Sequence, residues 1–312
     1  GNVGRIWQHA RGLHGGCPIL GAARVRPQSR GSVLNTLRVV QWRSKVPSIT
    51  GYLGGIGRDE TARWFREAVA ASGVELRAYE DTEQPTGRCL SLVTESERTL
   101  VALVGAAFSF DPSFLWTDAL DLVQKARVVY TVVYAIDTPV RFQAVQHLME
   151  HSKRNRLCFA FNLSSANLVV RFPSELKQVL PFCNLLFGNA DEFKALAQTQ
   201  GWADDPAVFM GLVRECLAPG GVAVMTDGKD PVHIASSGLT WTHNVPSVPK
   251  DKIVDTNGAG DAFVGGFLAR LMEQGDVAAT LADQDNVTQC LNCAMEASAF
   301  ILTRMGCDLS DA

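Results

Sequence analysis

No aspartate or glutamate occurs before Asp59, although five arginines fall within the first 30 residues. Over the whole 312 residues the charges nearly cancel, to a formal net charge of −3, which gives no reason to expect a nucleic acid or an anionic membrane as partner. No apolar run approaches the ~20 residues of a membrane-spanning helix. The eight cysteines are scattered through apolar runs rather than spaced as a disulfide framework, so they read as buried free thiols of a reducing, cytoplasmic setting. Cys290 and Cys293 form a C-x-x-C, but inside a helical pattern and without a second pair, which argues against a structural zinc site. His147 and His151 stand four apart on a helical stretch without the glutamate of an H-E-x-x-H motif, and read as a solvated face. What is present is an ordinary globular composition, 46% hydrophobic and 20% charged, in a chain long enough for a sizeable core.

Strand-like and helical runs alternate along that chain. "VPSITGYLG" (46–54) reads as a strand and 58–73 as a helix ending at Gly73. "VELRAYE" is a short strand, and "TGRCLSLVTESERTLVALVG" reads as a hairpin about a polar turn near Glu95 and Ser96. "ARVVYTVVYAI" is one continuous apolar strand, followed by a helix from Pro139 to about Lys153. "LCFAFNLSS" and "CNLLFGN" are buried strands. Helices over 190–200 and 206–217, strands at "GVAVMTDG" and "PVHIASS", and two or three further helices complete the chain. This order predicts an α/β fold of three α/β/α layers, with a mostly parallel sheet covered on both faces. The hairpin breaks the alternation and is assigned to a small β lid near 85–104. Residues 1–30 show no clear periodicity; an Arg-rich, acid-poor start also resembles a targeting peptide, but the segment is read as disordered or as standing in place of a first strand.

Ligands of such sheets gather at the carboxyl ends of the strands. Four polar turns fall there: "NLSS" (162–165), "FGNADE" (187–192), "TDGKD" (226–230) and "DTNGAGD" (255–261). In the last of them Gly258, Ala259 and Gly260 carry almost no side chain and open a long helical pattern. The first amides of a helix have no internal acceptor and lie at its positive end, so the turn suits an anion such as a phosphoryl group in transfer. Asp261, at the same point, is placed to take the proton of an attacking alcohol. Plain helix capping is the alternative for an acid in a first turn. A Walker loop, G-x-x-x-x-G-K-[ST], is absent, which excludes P-loop chemistry on motif grounds.

"DTNGAGDAFVGGFL" resembles the signature of the ribokinase-like (PfkB) carbohydrate kinases, and its Asn257 form is similar to the branch of that family that phosphorylates adenosine. Other stretches match in order between Gly31 and about Asp308: "GSVLNTLRVVQW", "GGIGRD", the lid pieces "EQPTGRC" and "ERTLVA", the N-x-x-E turn "FGNADE", "TDGKD" and "RMGCDL". The resemblance implies a ribokinase-like kinase domain over 31–312. It implies Asp261 as the base, and Gly258, Ala259 and Gly260 as the anion hole. It places Asn189, Thr226, Gly228 and Asn257 on the ATP side. Gly31, Ser32, Asn35, Arg98 and Tyr134 would meet the acceptor, Arg98 from the lid and Tyr134 by stacking on the base. Glu192 would organise Mg²⁺ through water, although Asn189 with Glu192 also spells a helix capping box. Ser32 and Asn35 likewise read equally well as helix-capping residues.

The implied partners are adenosine and ATP, handled by a monomer in the cytoplasm with the nucleus as a second compartment. The chain departs from the family on the acceptor side. Arg30-Gly31 stands where the family doubles its glycine, no acid precedes Gly31 to grip the ribose, the lid runs on as "LVALVGAAF", and Ala135 follows Tyr134. The reading taken is ATP plus adenosine to ADP plus AMP, a purine salvage step. Its alternatives are a relative that binds nucleotide without turnover, or a kinase for another nucleoside or sugar.

Overall fold

Phe159, Ala160, Phe161, Leu185, Leu186 and Phe187 are apolar on both faces of their strands, and such strands require cover on both sides. The computed structural model describes residues 31–94, 97–236 and 238–309, so the expectations placed on residues 1–30 lie outside the described residues. In chain order the elements are α1 (Ser32–Ser44), β1 (Gly51–Gly57), α2 (Glu60–Ala71), β2 (Glu75–Asp81), β3 (Arg88–Thr94), β4 (Glu97–Leu103), α3 (Leu120–Lys125) and β5 (Val128–Val132). Then come α4 (Pro139–Asn155), β6 (Cys158–Asn162), α5 (Ala166–Arg171), α6 (Pro173–Val179), β7 (Leu185–Asn189), α7 (Ala190–Gln200) and α8 (Pro206–Cys216). The chain closes with β8 (Val222–Asp227), β9 (Asp230–Ser236), β10 (Leu239–His243), α9 (Ala259–Glu273), α10 (Val277–Ala282) and α11 (Gln284–Leu302).

Six strands form one sheet in the order β10-β9-β8-β7-β6-β5. Its β5, β6, β7 and β8 run parallel, and β9 and β10 are antiparallel additions at one edge. Phe159, Phe161 and Leu186 point into a core closed by α4 and α5 to α8, while Ala160, Leu185 and Phe187 point to the opposite core with Phe263, Phe267 and Leu291 of α9 and α11. The three-layer α/β/α reading therefore holds. The β3–β4 hairpin stands as a separate two-stranded sheet, as its break from the alternation implied. β1 and β2 pair parallel to each other, apart from the six-stranded sheet among the described residues.

Three local readings change. "ARVVYTVVYAI" pairs only over Val128–Val132; Val133–Ile136 then coils into a 3₁₀ turn, which brings Tyr134 to the surface at 45% exposure. The strand read from residue 46 begins at Gly51, because Ser48 takes a left-handed backbone and turns the chain before it. β10 went unread because it is an edge strand with little burial, and α3, α5 and α6 span only six or seven residues, too few to establish a period.

Candidate active site

Gly258 caps α9 with φ +81, a left-handed conformation natural only to glycine, and a Cβ there would come within 3.2 Å of Cys307 Cβ. Asp255 sets the turn before it. One carboxylate oxygen accepts from the Asn257 N–H at 2.9 Å and the other from the Gly306 N–H at 2.9 Å. The Val254 N–H donates to Leu302 O at 2.8 Å, so the "RMGC" stretch at the chain end braces the small-residue turn from behind. The start of α9 thus presents its first amides at a rigid corner.

Asp261 lies in the first turn of α9. Its Oδ1 accepts from Ser32 Oγ at 2.6 Å and its Oδ2 from Asn35 Nδ2 at 2.8 Å, while Thr36 Oγ1 donates to its main-chain oxygen at 3.2 Å. Burial pushes the Asp261 carboxyl up from its ordinary range, and the two side-chain hydrogen bonds oppose that rise. All three donors come from α1, whose first turn abuts that of α9.

Across the cleft, α7 starts with a complete capping box. Asn189 Oδ1 accepts from the Glu192 N–H at 2.9 Å, and Glu192 returns the bond by accepting from the Asn189 N–H at 2.9 Å and from Asn189 Nδ2 at 3.1 Å. Glu192 is 7% exposed. Burial raises its pKa to about 7; backbone hydrogen bonds from Asn189 and Ser164 hold it down, and the carboxylates of Asp191 and Asp261 add to the rise.

These two helix starts face each other over a cleft of about 240 Å³ at the carboxyl ends of the strands, where the alternation of elements put it. Of the residues singled out from the sequence, Ser32, Tyr134, Asn189, Glu192, Thr226, Gly258, Gly260 and Asp261 line it together. Others stand back. Ala259 does not line the cleft, and its N–H turns to Thr256 O at 3.3 Å. Asn35 is buried behind Asp261, and its Oδ1 has no partner. Ser32 and Asn35 therefore serve as donors to the carboxylate rather than as caps of α1, whose N-cap is Gly31. Gly228 lies in the β8–β9 turn and Asn257 in the turn before α9. Arg98 sits on β4 opposite Val93.

Sequence reasoning passed over Asn162, Ser164, Phe187, Val224, Phe263 and Val264, which also line the cleft. The "NLSS" turn was noticed without a role; the apolar four carried no signal that separated them from core. A larger groove of about 500 Å³, lined by Trp116, His147, His151, Arg154 and Asn155, holds no carboxylate. There His147 Nδ1 accepts from Trp116 Nε1 at 3.3 Å, so this histidine is half-buried against an aromatic ring rather than solvated.

Known proteins resemble this chain in sequence and in fold. The profile of the pfkB family carbohydrate kinases matches residues 18–312. Adenosine kinase 1 of Arabidopsis thaliana is 32% identical over 287 residues, which cover 89% of this chain and 79% of its own length. The adenosine kinase of Dictyostelium discoideum is 31% identical over 248 residues, covering 77% and 71%. Among solved structures, Anopheles gambiae adenosine kinase in complex with P1,P4-di(adenosine-5) tetraphosphate superposes with a TM-score of 0.80 at 30% identity, covering 89% of this chain and 80% of that one. Schistosoma mansoni adenosine kinase in complex with 2-fluoroadenosine superposes with a TM-score of 0.85 at 26% identity, covering 94% and 85%. Since the matched region takes in both the glycine turn with its aspartate and the facing capping box, this chain belongs to the pfkB family of carbohydrate kinases.

Proposed function

We propose that the chain transfers the terminal phosphoryl group of ATP to the 5′-hydroxyl of adenosine, giving AMP and ADP, a step of purine salvage. The observation that carries this reading is the meeting of Asp261 with the first amides of α9 on the floor of one cleft. Each Asp261 oxygen accepts one protein donor and keeps a lone pair for an incoming hydroxyl. As the oxygen–phosphorus bond forms, that hydroxyl proton passes to Asp261. Charge on the transferring phosphoryl group is met by the helix start at Gly258 and Gly260, which line the cleft, with Ala259 between them completing the small-residue turn.

Thr226, Gly228, Asn257 and Asn189 form the ATP side. Gly31, Ser32, Tyr134 and the lid residue Arg98 form the nucleoside side, with Asn35 behind them holding the Asp261 carboxylate; Tyr134 is half-exposed, as a stacking platform requires. Mg²⁺ would arrive on the triphosphate. Among the described residues no three acidic, histidine or cysteine side chains gather as a cage, while Glu192 brings hard carboxylate oxygens to the cleft lining, which fits a cation held through water. When bound it neutralises phosphate charge. The same reading takes the chain as a cytoplasmic monomer; among the described residues no helix is long and apolar enough to cross a membrane.

Asp261→Asn keeps the size of the side chain and removes the base. The expected result is a loss of transfer of on the order of 10²–10⁴-fold with ATP binding retained. Parent-rate transfer by this variant would overturn the assignment of the base. A panel of adenosine, other nucleosides and ribose, each with ATP and magnesium, tests the acceptor.

A further inference from the structure

An arginine on a helix can lay its stem along apolar surface and keep its head in water. Arg38, on α1 beyond Asn35, turns inward instead. Its Nε is closed off from solvent, and its Nη1 donates to Cys307 O at 3.2 Å. That carbonyl belongs to the stretch 302–309, at the end of α11 and beyond, which meets the glycine turn at three points. Leu302 O accepts from the Val254 N–H at 2.8 Å, the Gly306 N–H donates to Asp255 at 2.9 Å, and Cys307 Cβ closes the space beside Gly258.

The same stretch is packed against α1. Cys307 is buried in one apolar cluster with Val39 of α1, Ala262 of α9 and Ile301 of α11. Arg304 lies over the Phe300 ring at 4.1 Å, and Phe300 stacks on Trp42 of α1 with centroids 4.6 Å apart. α1 therefore reaches the start of α9 by two routes. Ser32, Asn35 and Thr36 bond Asp261 directly, whereas Arg38 holds the turn before α9 through Cys307 and Gly306. Base and anion hole are both held from residues 32–38.

We propose that Arg38 is a positioning residue for phosphoryl transfer: by clamping the Cys307 carbonyl it fixes the glycine turn, and with it the amides at Gly258 and Gly260, relative to Asp261. The inference rests on the proposed transfer reaction with Asp261 as its base. Arg38 does not line the cleft and acts only through the turn. Donors aimed at charge that develops during transfer count for more in the transition state than in the bound ground state. A turn free to shift by a fraction of an ångström therefore loses rate before it loses affinity.

Arg38→Met keeps the buried stem and removes the donor. The expected result is a fall of about 10- to 100-fold in the single-turnover rate, with KM for ATP and for adenosine each within about twofold of the parent. Arg38→Lys returns a cationic donor of similar reach and should recover most of the rate. Arg43→Met is the control for α1. It removes the 2.9 Å ion pair to Glu296 of α11 at the far end of the same helix, and it should transfer at the parent rate. A residue that served stability alone would lower the melting temperature and leave the single-turnover rate of the folded protein in place.

Arg38→Gln, polar but too short to reach Cys307 O, should show the same fall, and it carries the test if the methionine variant does not fold. Parent-rate transfer by folded Arg38→Met or Arg38→Gln would overturn the role of Arg38, and so would equal falls in Arg38→Met and Arg43→Met. Asp261→Asn is measured alongside. Parent-rate transfer by that variant would mean that the base is misassigned, whereas an inactive Asp261→Asn beside a parent-rate Arg38→Met would overturn the role of Arg38 alone.

Discussion

Glu192 carries two demands on one side chain, since it closes the capping box of α7 and faces the cleft from within the protein. Its pKa of about 7, against 4.5 for the free group, makes those demands measurable. Below the unfolded value the carboxyl is neutral in both states and costs nothing. Between the two values the unfolded chain releases the proton while the folded chain keeps it, so stability falls as pH rises. Above the folded value the loss is complete and constant. Glutamine completes a capping box as well as glutamate does and never ionises. Glu192→Gln should therefore match the parent in stability near pH 4.5 and exceed it at pH 8 by on the order of 2–3 kcal/mol. Urea unfolding at both pH values checks this in the absence of ATP and magnesium; an identical difference at the two pH values would show that Glu192 is already ionised at low pH in the fold.

At the level of elements, the position of Asp261 depends on how closely α9 sits between its neighbours. A Cβ on Gly266 would fall 2.5 Å from Cys293 O and 2.8 Å from Ala294 Cα, in the backbone of α11. Gly266 is a poor helix former by about 1 kcal/mol relative to alanine, and the close approach it permits offsets that. Gly266→Ala should lower stability by about 1–3 kcal/mol through overpacking, and it should slow transfer as α9 shifts. An unchanged or raised melting temperature would mean that α11 yields freely.

The lid is anchored by a different joint. Asp59 caps α2 at the Ala62 N–H, 2.8 Å, and also accepts from the Thr86 N–H at 2.9 Å and from Thr86 Oγ1 at 2.7 Å. Thr86 Oγ1 in turn accepts from the Gly57 N–H at 3.0 Å. The base of the hairpin is thus bonded to the end of β1 and the start of α2. Thr86→Val keeps the shape and breaks both hydroxyl bonds. Limited proteolysis should then cut β3–β4 sooner than in the parent, and KM for adenosine should rise while KM for ATP does not. Equal proteolysis rates would place the hinge elsewhere.

Across the whole molecule, the phosphate-side features and the lid are carried by parts of unequal robustness. The six-stranded sheet is covered by two large apolar cores, whereas β1 and β2 pack with α1 and α2 over a small one around Leu34, Val69 and Val74. A two-stranded sheet is marginal by itself; among the described residues α1, which packs on both β1 and β5, and the cluster in which Leu53 of β1 meets Leu115, Val123 and Ala144 link it to the rest. Hydrogen exchange should therefore be slowest in β6, β7 and β8 and faster in β1, β2 and the lid hairpin, as a sub-global opening that leaves the Glu192 box closed. Equal protection across both sheets would mean that the molecule opens as one unit.

Local signals carried much of this protein into view before any coordinates. The glycine turn, the acid after it, the Asn189–Glu192 box and the alternation of apolar strands with helices are all set within a few residues, by backbone sterics, capping and burial on two faces. What stayed hidden depends on partners far along the chain. Ser32 and Asn35 read as caps or ribose ligands, and that their donors reach a carboxylate 229 and 226 residues away shows only in the fold. Tyr130 looked like core because its neighbours in sequence are apolar, and its phenol meets Thr36 and Asn162 only once α1, β5 and β6 are assembled. β1 and β2 read as members of one sheet with the rest, and among the described residues they pair only with each other, since a strand's own pattern says that it pairs and not with which strand it pairs. Short-range sterics wrote the elements and the catalytic turn into the chain, while the pairing of hydroxyls, amides and carboxylates waited on the fold, because a side chain's hydrogen-bond partner is whatever packing brings within 3 Å.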